Sequence, residues 1–196
     1  MRAVVQRVSE ARVVIDGEVV GAIGRGLLVL LCAMDGDVEA DAAWILRKLV
    51  ALRVFPDVEG RMNLALTEPP VGGATALSGP SGVLVVSQFT LAADLTPKRA
   101  KGNRPAFTRA MAPAPAAVMI AGFVKELRLL LAPSSGVVAT GRFGADMKVG
   151  LINDGPVTLF FDSRDADIID LVVKVPRPPP TSVALEERSA RFLLRR

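Results

Sequence analysis

Two short segments concentrate the side chains able to do chemistry. The first, Ser87-Gln88-Phe89-Thr90-Leu91-Ala92-Ala93-Asp94, follows the apolar run Val83–Val86 and opens into a loop carrying Lys98, Arg99, Lys101 and Arg104. Polar groups where a covered strand reaches a loop can meet a ligand with side chains and backbone N–H groups together. Thr90 is a formal candidate nucleophile, but a threonine hydroxyl needs an activating base and its sequence neighbours provide none. On pattern alone the segment reads as a strand terminus with capping hydroxyls. The second, Leu151-Ile152-Asn153-Asp154-Gly155-Pro156-Val157-Thr158, lies between two strand-like stretches. Its Gly-Pro step calls for a tight turn, and X-Pro bonds adopt cis far more readily than other peptide bonds. Such a turn presents its carbonyl oxygens rigidly, and by itself it reads as a hairpin connection.

What the chain lacks narrows the chemistry further. With no histidine in 196 residues, it cannot build a Ser-His-Asp triad, a Cys-His dyad, a His-ligated zinc site or a histidine pH switch. Cys32 is the only cysteine, which excludes an intramolecular disulfide and a thiolate cluster. It sits in the apolar run Gly26–Ala33 and reads as a small buried hydrophobe, because apolar burial raises a thiol pKa. Asp35, Asp37, Glu39 and Asp41 gather at a helix start, where they complement the helix dipole. No metal site or cofactor is expected. The basic cluster Lys98, Arg99, Lys101 and Arg104, followed by Pro105 and Phe107, suits phosphates, although a charged loop is usually only solvated. A net charge of +4 tolerates a polyanionic partner without requiring one.

The elements that position these groups follow from periodicity. Met1–Ser9 alternates apolar and polar residues, and Arg12–Ile15 and Glu18–Ile23 flank Asp16-Gly17, a favoured type I′ turn, so a strand followed by a hairpin is expected. Gly26–Met34 and Val83–Phe89 are apolar runs too short for typical helices and suit strands covered on both faces. Asp37 is an N-cap candidate for an amphipathic helix reaching about Leu52, and Pro113 suits the start of a second helix over Ala114–Leu131. Arg53–Phe55 and Met62–Leu64 form two short extended pieces around a turn, and Val137–Thr140, Met147–Asn153 and Val157–Phe161 are further strands. Thr67–Gly82, rich in Pro, Gly, Ala, Ser and Thr, reads as a surface loop.

This order predicts an α+β fold: a single domain over 1–163 with helices packed on a largely antiparallel or mixed β-sheet. Residues 164–196 form a Pro-containing basic C-terminal extension with seven basic and five acidic residues. Pro176-Arg177-Pro178-Pro179-Pro180 is a stiff spacer within it. The N-terminus lacks the apolar core of a signal peptide, and no stretch reaches the length of a membrane span, so a cytoplasmic protein with no membrane contact is expected.

Taken together and in this order, the motifs closely resemble the D-aminoacyl-tRNA deacylase family, formerly called D-tyrosyl-tRNA deacylases. The resemblance runs from Met1-Arg2-Ala3-Val4-Val5-Gln6-Arg7-Val8 through Gly26–Leu31, Gly60-Arg61-Met62-Asn63-Leu64, Ser87–Ala92, Gly102-Asn103-Arg104-Pro105-Ala106-Phe107, Thr140–Met147 and Asn153–Thr158. It covers residues 1 to about 163. It implies hydrolysis of the ester joining a D-amino acid, or glycine, to the 3′-terminal adenosine of tRNA, with D-aminoacyl-tRNA and glycyl-tRNA as substrates and L-aminoacyl-tRNA rejected. It also implies a homodimer in which a cis Gly155-Pro156 turn enters the partner's pocket as the chiral filter, held by Arg7.

By the same resemblance Ser87, Gln88, Phe89 and Thr90 form the catalytic set at the adenosine and ester end. Arg7, Asn153, Gly155, Pro156, Thr158 and Met111 are the substrate-binding set. Catalysis would be assisted by the tRNA 2′-OH, with Thr90 as a positioning residue. The chain departs from the usual pattern at Pro69–Ser81, in the tail Arg164–Arg196, and at Ala110-Met111-Ala112-Pro113, where many relatives carry a smaller Gly-Ala-Ser-Pro-like segment. Two other readings compete: a non-catalytic tRNA- or RNA-binding protein, and an esterase or amidohydrolase acting on small molecules through Thr90.

Overall fold

The computed structural model describes residues 1–68, 81–96 and 104–165, and Met1–Ser163 forms one compact unit. Most of the Thr67–Gly82 loop, the cations Lys98, Arg99 and Lys101, and nearly all of the C-terminal extension lie outside the described residues.

The first departure from local expectation is the N-terminal strand. Arg2–Ile15 is a single 14-residue strand, β1, rather than a strand followed by one arm of a hairpin. The turn itself forms as its sequence demands, with Asp16 and Gly17 both at positive φ (51° and 84°), leading into β2 (Glu18–Ile23). One edge of β1 pairs antiparallel with β3 (Gly26–Cys32) over Arg2–Val8 and with β2 over Ala11–Ile15. Its other edge pairs antiparallel with the last strand, β8 (Lys148–Asp162).

Beyond β3 the pairing becomes parallel. Helix α1 (Glu39–Val50) and the small antiparallel pair β4 (Phe55–Pro56) and β5 (Met62–Leu64) intervene before β6 (Gly82–Ser87), which lies parallel to β3. Helix α2 (Pro113–Leu131) then returns the chain to β7 (Val137–Thr140), parallel to β6. The fold is therefore a mixed sheet ordered β2-β1-β3-β6-β7, with β8 on the free edge of β1. Parallel neighbours need such crossovers because a two-residue turn cannot reverse the chain twice.

Continuous apolar strands require both sheet faces to be covered, and both are. Leu27, Val29, Leu31, Val83 and Val85 pack toward Ile45 and Leu49 of α1 and Phe123, Leu127 and Leu131 of α2. Leu28, Leu84 and Val86 point the other way, into a second cluster with Val8, Ala11, Val13, Ile15 and Ile23. Around that cluster the sheet curls until β2 lies against β7: a Cβ at Gly21 would sit 2.4 Å from the Thr140 carbonyl oxygen.

Asp37 is not the N-cap of α1; that position is Val38. The Asp37 carboxylate is buried, accepting the Met34 N–H at 2.6 Å and pairing with the N-terminal ammonium at 2.8 Å. Asp41 instead accepts the Val38 N–H at 2.9 Å and closes the first turn. α2 starts where Pro113 predicts, because proline supplies a ready helical φ and its missing N–H has no partner in a first turn anyway.

Candidate active site

The strand ending at Ser87 is shorter than its apolar run implies. Gln88 extends the ladder once by donating its N–H to the Leu31 carbonyl (2.8 Å), and Phe89–Ala92 then tightens into a 3-10 turn. Because β3 and β6 are parallel, their carboxyl ends open on the same side, where ligand crevices of such sheets commonly form. A cleft of about 620 Å³ lies there. Its lining includes Leu31–Ala33 from β3, Val86–Phe89 from β6, Phe107 and Ala110–Pro113 before α2, Ala116 and Ile120 on α2, and Phe143–Met147 with Val149.

Four sequence-predicted site residues thus line one cleft: Ser87, Gln88, Phe89 and Met111. Thr90 stands beside it, in contact through a hydrogen bond from Gln88 Nε2 to Thr90 Oγ1. An amide is not a base in either orientation, so this contact orients the hydroxyl without activating it. The Phe89 ring is 60% exposed and meets Phe107 edge to face, centroids 5.1 Å apart. Met111 is held by its N–H bond to the Ala33 carbonyl (3.0 Å).

Among the described residues the cleft holds few ionisable groups, and the one carboxylate is Asp146, exposed and paired with Lys148 at 2.9 Å. Cys32 faces it, but burial pushes this thiol up from its ordinary value, and the Asp37 carboxylate adds to the shift. Its Sγ lies 3.5 Å from the Ala33 carbonyl oxygen and 3.7 Å from that of Phe89. Such a thiol stays protonated near neutrality, as a packing group would. Among the described residues, no cluster of three or more His, Cys, Asp or Glu side chains could hold a metal ion.

The second motif is built differently from expectation. Gly155-Pro156 does not join two strands of a hairpin, because both flanks belong to β8 and pair along the same edge of β1. Thr158 faces Gln6, Asn153 faces Val8, and residues 154–157 loop out opposite Arg7 alone. Asn153 braces the base of this protrusion: its Oδ1 accepts the Val157 N–H (3.0 Å), and its Nδ2 donates to the carbonyls of Val157 (3.0 Å) and Arg7 (3.3 Å).

Arg7 pins the protrusion from below. Its Nε lies 2.9 Å from the Asp154 carbonyl oxygen and 3.1 Å from the Asp154 carboxylate, and its Nη1 donates to the Val54 carbonyl. Thr158 Oγ1 accepts from Gln6 Nε2 at 3.2 Å. Gly155 takes φ +146°, and a Cβ there would come within 2.6 Å of the Val157 nitrogen, so glycine is required. The Gly155–Pro156 bond is cis, and both residues are exposed.

The structure therefore gathers Arg7, Asn153, Gly155, Pro156 and Thr158 into one rigid protrusion and Ser87, Gln88, Phe89, Thr90 and Met111 at one cleft. None of the first set lines that cleft within the chain. Sequence reasoning missed two supports. Arg25 lies over the Phe55 ring (4.2 Å to the centroid) beside the Val54 carbonyl that Arg7 uses. Burial lowers the Arg25 pKa, partly opposed by Asp154. The wall Phe143–Met147 was visible as Thr140–Met147, with Gly144 at positive φ, but nothing in the segment names a function.

Comparisons with known proteins span both motifs. The family model described as D-Tyr-tRNA(Tyr) deacylase matches residues 4–162. A D-aminoacyl-tRNA deacylase of Aromatoleum aromaticum is 52% identical over 159 residues, covering 81% of this chain and 93% of the relative. One from Geobacter metallireducens is 50% identical over 166 residues, covering 85% and 98%. Among solved structures, one titled c-Myc DNA Unwinding Element Binding Protein superposes with a TM-score of 0.70 at 37% identity, covering 83% of this chain and 98% of that one. With a family match spanning all of β8 and nearly all of β1, and relatives near 50% identity over most of their own length, the chain belongs to the D-Tyr-tRNA(Tyr) deacylase family.

Proposed function

We propose that this protein hydrolyses the ester between a D-amino acid, or glycine, and the 3′-terminal adenosine of tRNA, and spares the L-aminoacyl ester. The observation that carries this reading is the pairing of a cleft poor in ionisable groups with a braced main-chain protrusion that the cleft of the same chain does not include. A rigid backbone wall excludes one enantiomer by clash, whereas an apolar pocket separates small groups by only about 1–3 kcal/mol. In a homodimer the Gly155-Pro156 protrusion of one protomer fills that role in its partner's cleft, with Asn153, Arg7 and Thr158 fixing it. Glycine, with no side chain to exclude, passes the filter.

The chemistry needs little from side chains. An aminoacyl ester is activated, and its vicinal ribose 2′-OH lies close to the carbonyl, so positioning and backbone donors supply much of the rate. The N–H groups of Phe89 and Thr90 open the 3-10 turn, fall outside its internal bonding, and are the donors available to an ester oxyanion. Phe89 offers a ring to the terminal base, Ser87 and Gln88 line the ribose end, and Met111 closes the amino-acid side. Thr90 positions the ester, and Cys32 stays a neutral wall. Among the described residues no helix is long and apolar enough to cross a membrane, and a cytoplasmic location suits a tRNA substrate.

Release of free amino acid from matched D-, L- and glycyl-tRNA by the purified protein tests the reading. Rapid cleavage of the D and glycyl esters with the L ester intact is expected. Survival of all three while tRNA still binds would replace this reading with non-catalytic RNA binding. Cleavage of D-amino acid esters lacking any nucleoside would favour a small-molecule esterase.

A further inference from the structure

A second, smaller cavity of about 250 Å³ adjoins the cleft; both are lined by Ser87, Ile120 and Phe143, and the smaller one adds Thr140 and Arg128. We infer that this cavity binds the phosphodiester immediately 5′ of the terminal adenosine, with Arg128 as its cation and the Ser87 and Thr140 hydroxyls as further donors. The inference rests on the deacylase reading.

Three observations converge on an anion. Arg128 stands in the last turn of α2, where a cation complements the helix dipole, but dipole compensation alone does not require it to wall a cavity with two hydroxyls. No described residue forms an ion pair with its guanidinium. On the helix the positions three and four away are Val124, Lys125, Leu131 and Ala132, so no carboxylate stands at helical spacing from it and a second cation stands one turn back. Like charges at that spacing repel slightly, a cost that an incoming anion reverses.

The ligand chemistry follows from connectivity. A terminal adenosine held between Ser87 and Phe89 must continue toward its 5′ phosphate, the nearest obligatory anion, and the cavity sharing Ser87 is the adjoining space. A planar guanidinium with flanking hydroxyls suits phosphate oxygens.

Arg128→Gln and Arg128→Lys, assayed on D-aminoacyl-tRNA and on 3′-D-aminoacyl-adenosine lacking the phosphodiester, test this. For Arg128→Gln the KM for the tRNA substrate is expected to rise roughly tenfold with kcat within about twofold, one charged hydrogen-bond's worth. The salt slope of log kcat/KM should fall by about 1, Arg128→Lys should recover part of the loss, and the adenosine ester should be cleaved as by the wild type. Equal loss on both substrates, or no loss on either, overturns the Arg128 assignment while leaving the deacylase reading intact. A wild-type protein that cleaves neither ester overturns both.

Discussion

Replacing Arg7 by methionine keeps the apolar stem under the protrusion and removes its charged fork. Lost are the contacts from Nε to the Asp154 carbonyl and carboxylate, at 2.9 and 3.1 Å, and the Nη1 bond to the Val54 carbonyl. Hydrogen bonds to charged groups contribute about 1.5–3 kcal/mol when well buried. The Arg7 side chain is 11% exposed but that of Asp154 is 50% exposed, so solvent screening brings the sum to roughly 2 kcal/mol. If that energy holds the Gly155-Pro156 wall in place, its loss lowers the ratio of kcat/KM for D- over L-aminoacyl-tRNA by up to about 30-fold. The same energy, charged to global stability, lowers Tm by roughly 4–8 °C for a chain of this size. The assay is parallel kinetics on matched D and L substrates, with a thermal melt of each protein. A Tm that falls while the D/L ratio stays within twofold of wild type would refute the claim that this protrusion filters chirality.

Thr90→Ala should keep its single-turnover rate within about tenfold of wild type, the scale of a lost positioning contact; near-complete loss with unchanged tRNA binding would assign the hydroxyl a direct chemical role. Cys32→Ala should leave kcat within a few-fold and cost about 1 kcal/mol of stability. In the wild type, alkylation of Cys32 should be slower at pH 8 than that of an unfolded thiol. Because the folded state holds this proton more tightly, the Cys32 contribution to stability should decline as pH rises past the ordinary thiol range; faster alkylation in the native state would contradict the burial argument. Gly21→Ala should lower the urea midpoint by the equivalent of about 1–3 kcal/mol, since its Cβ would stand 2.4 Å from the Thr140 carbonyl oxygen; an unchanged midpoint would mean that β2 and β7 do not meet this closely.

Local periodicity carried most of the secondary structure. The runs that became β3 and β6 are apolar throughout because both sheet faces are covered, and α2 runs from Pro113 to Leu131 because its buried positions recur at helical spacing. Local reading erred where a distant partner outweighed a local signal. Asp37 carries an N-cap side chain, yet the N-terminal ammonium draws it into the interior. Glu10 and Ala11 fall between the two pieces that local alternation marks out, yet they pair with Ile152 and Leu151 of β8, which holds β1 continuous.

For the site, residue types and motif order alone excluded histidine-based catalysis, and the resemblance carried in part by Ser87–Ala92 and Asn153–Thr158 pointed to the deacylase family. Composition and order are properties of the chain itself, so no structure was needed for either. Only the tertiary structure decided that Gly155-Pro156 is a protrusion rather than a hairpin, and that Arg7, 147 residues from Asp154, holds it in place. It alone opened the cleft between the ends of two parallel strands and excluded the protrusion from that cleft within one chain. Contacts between segments so far apart in sequence depend on strand register and on the packing of two helices, and no window of neighbouring residues records either.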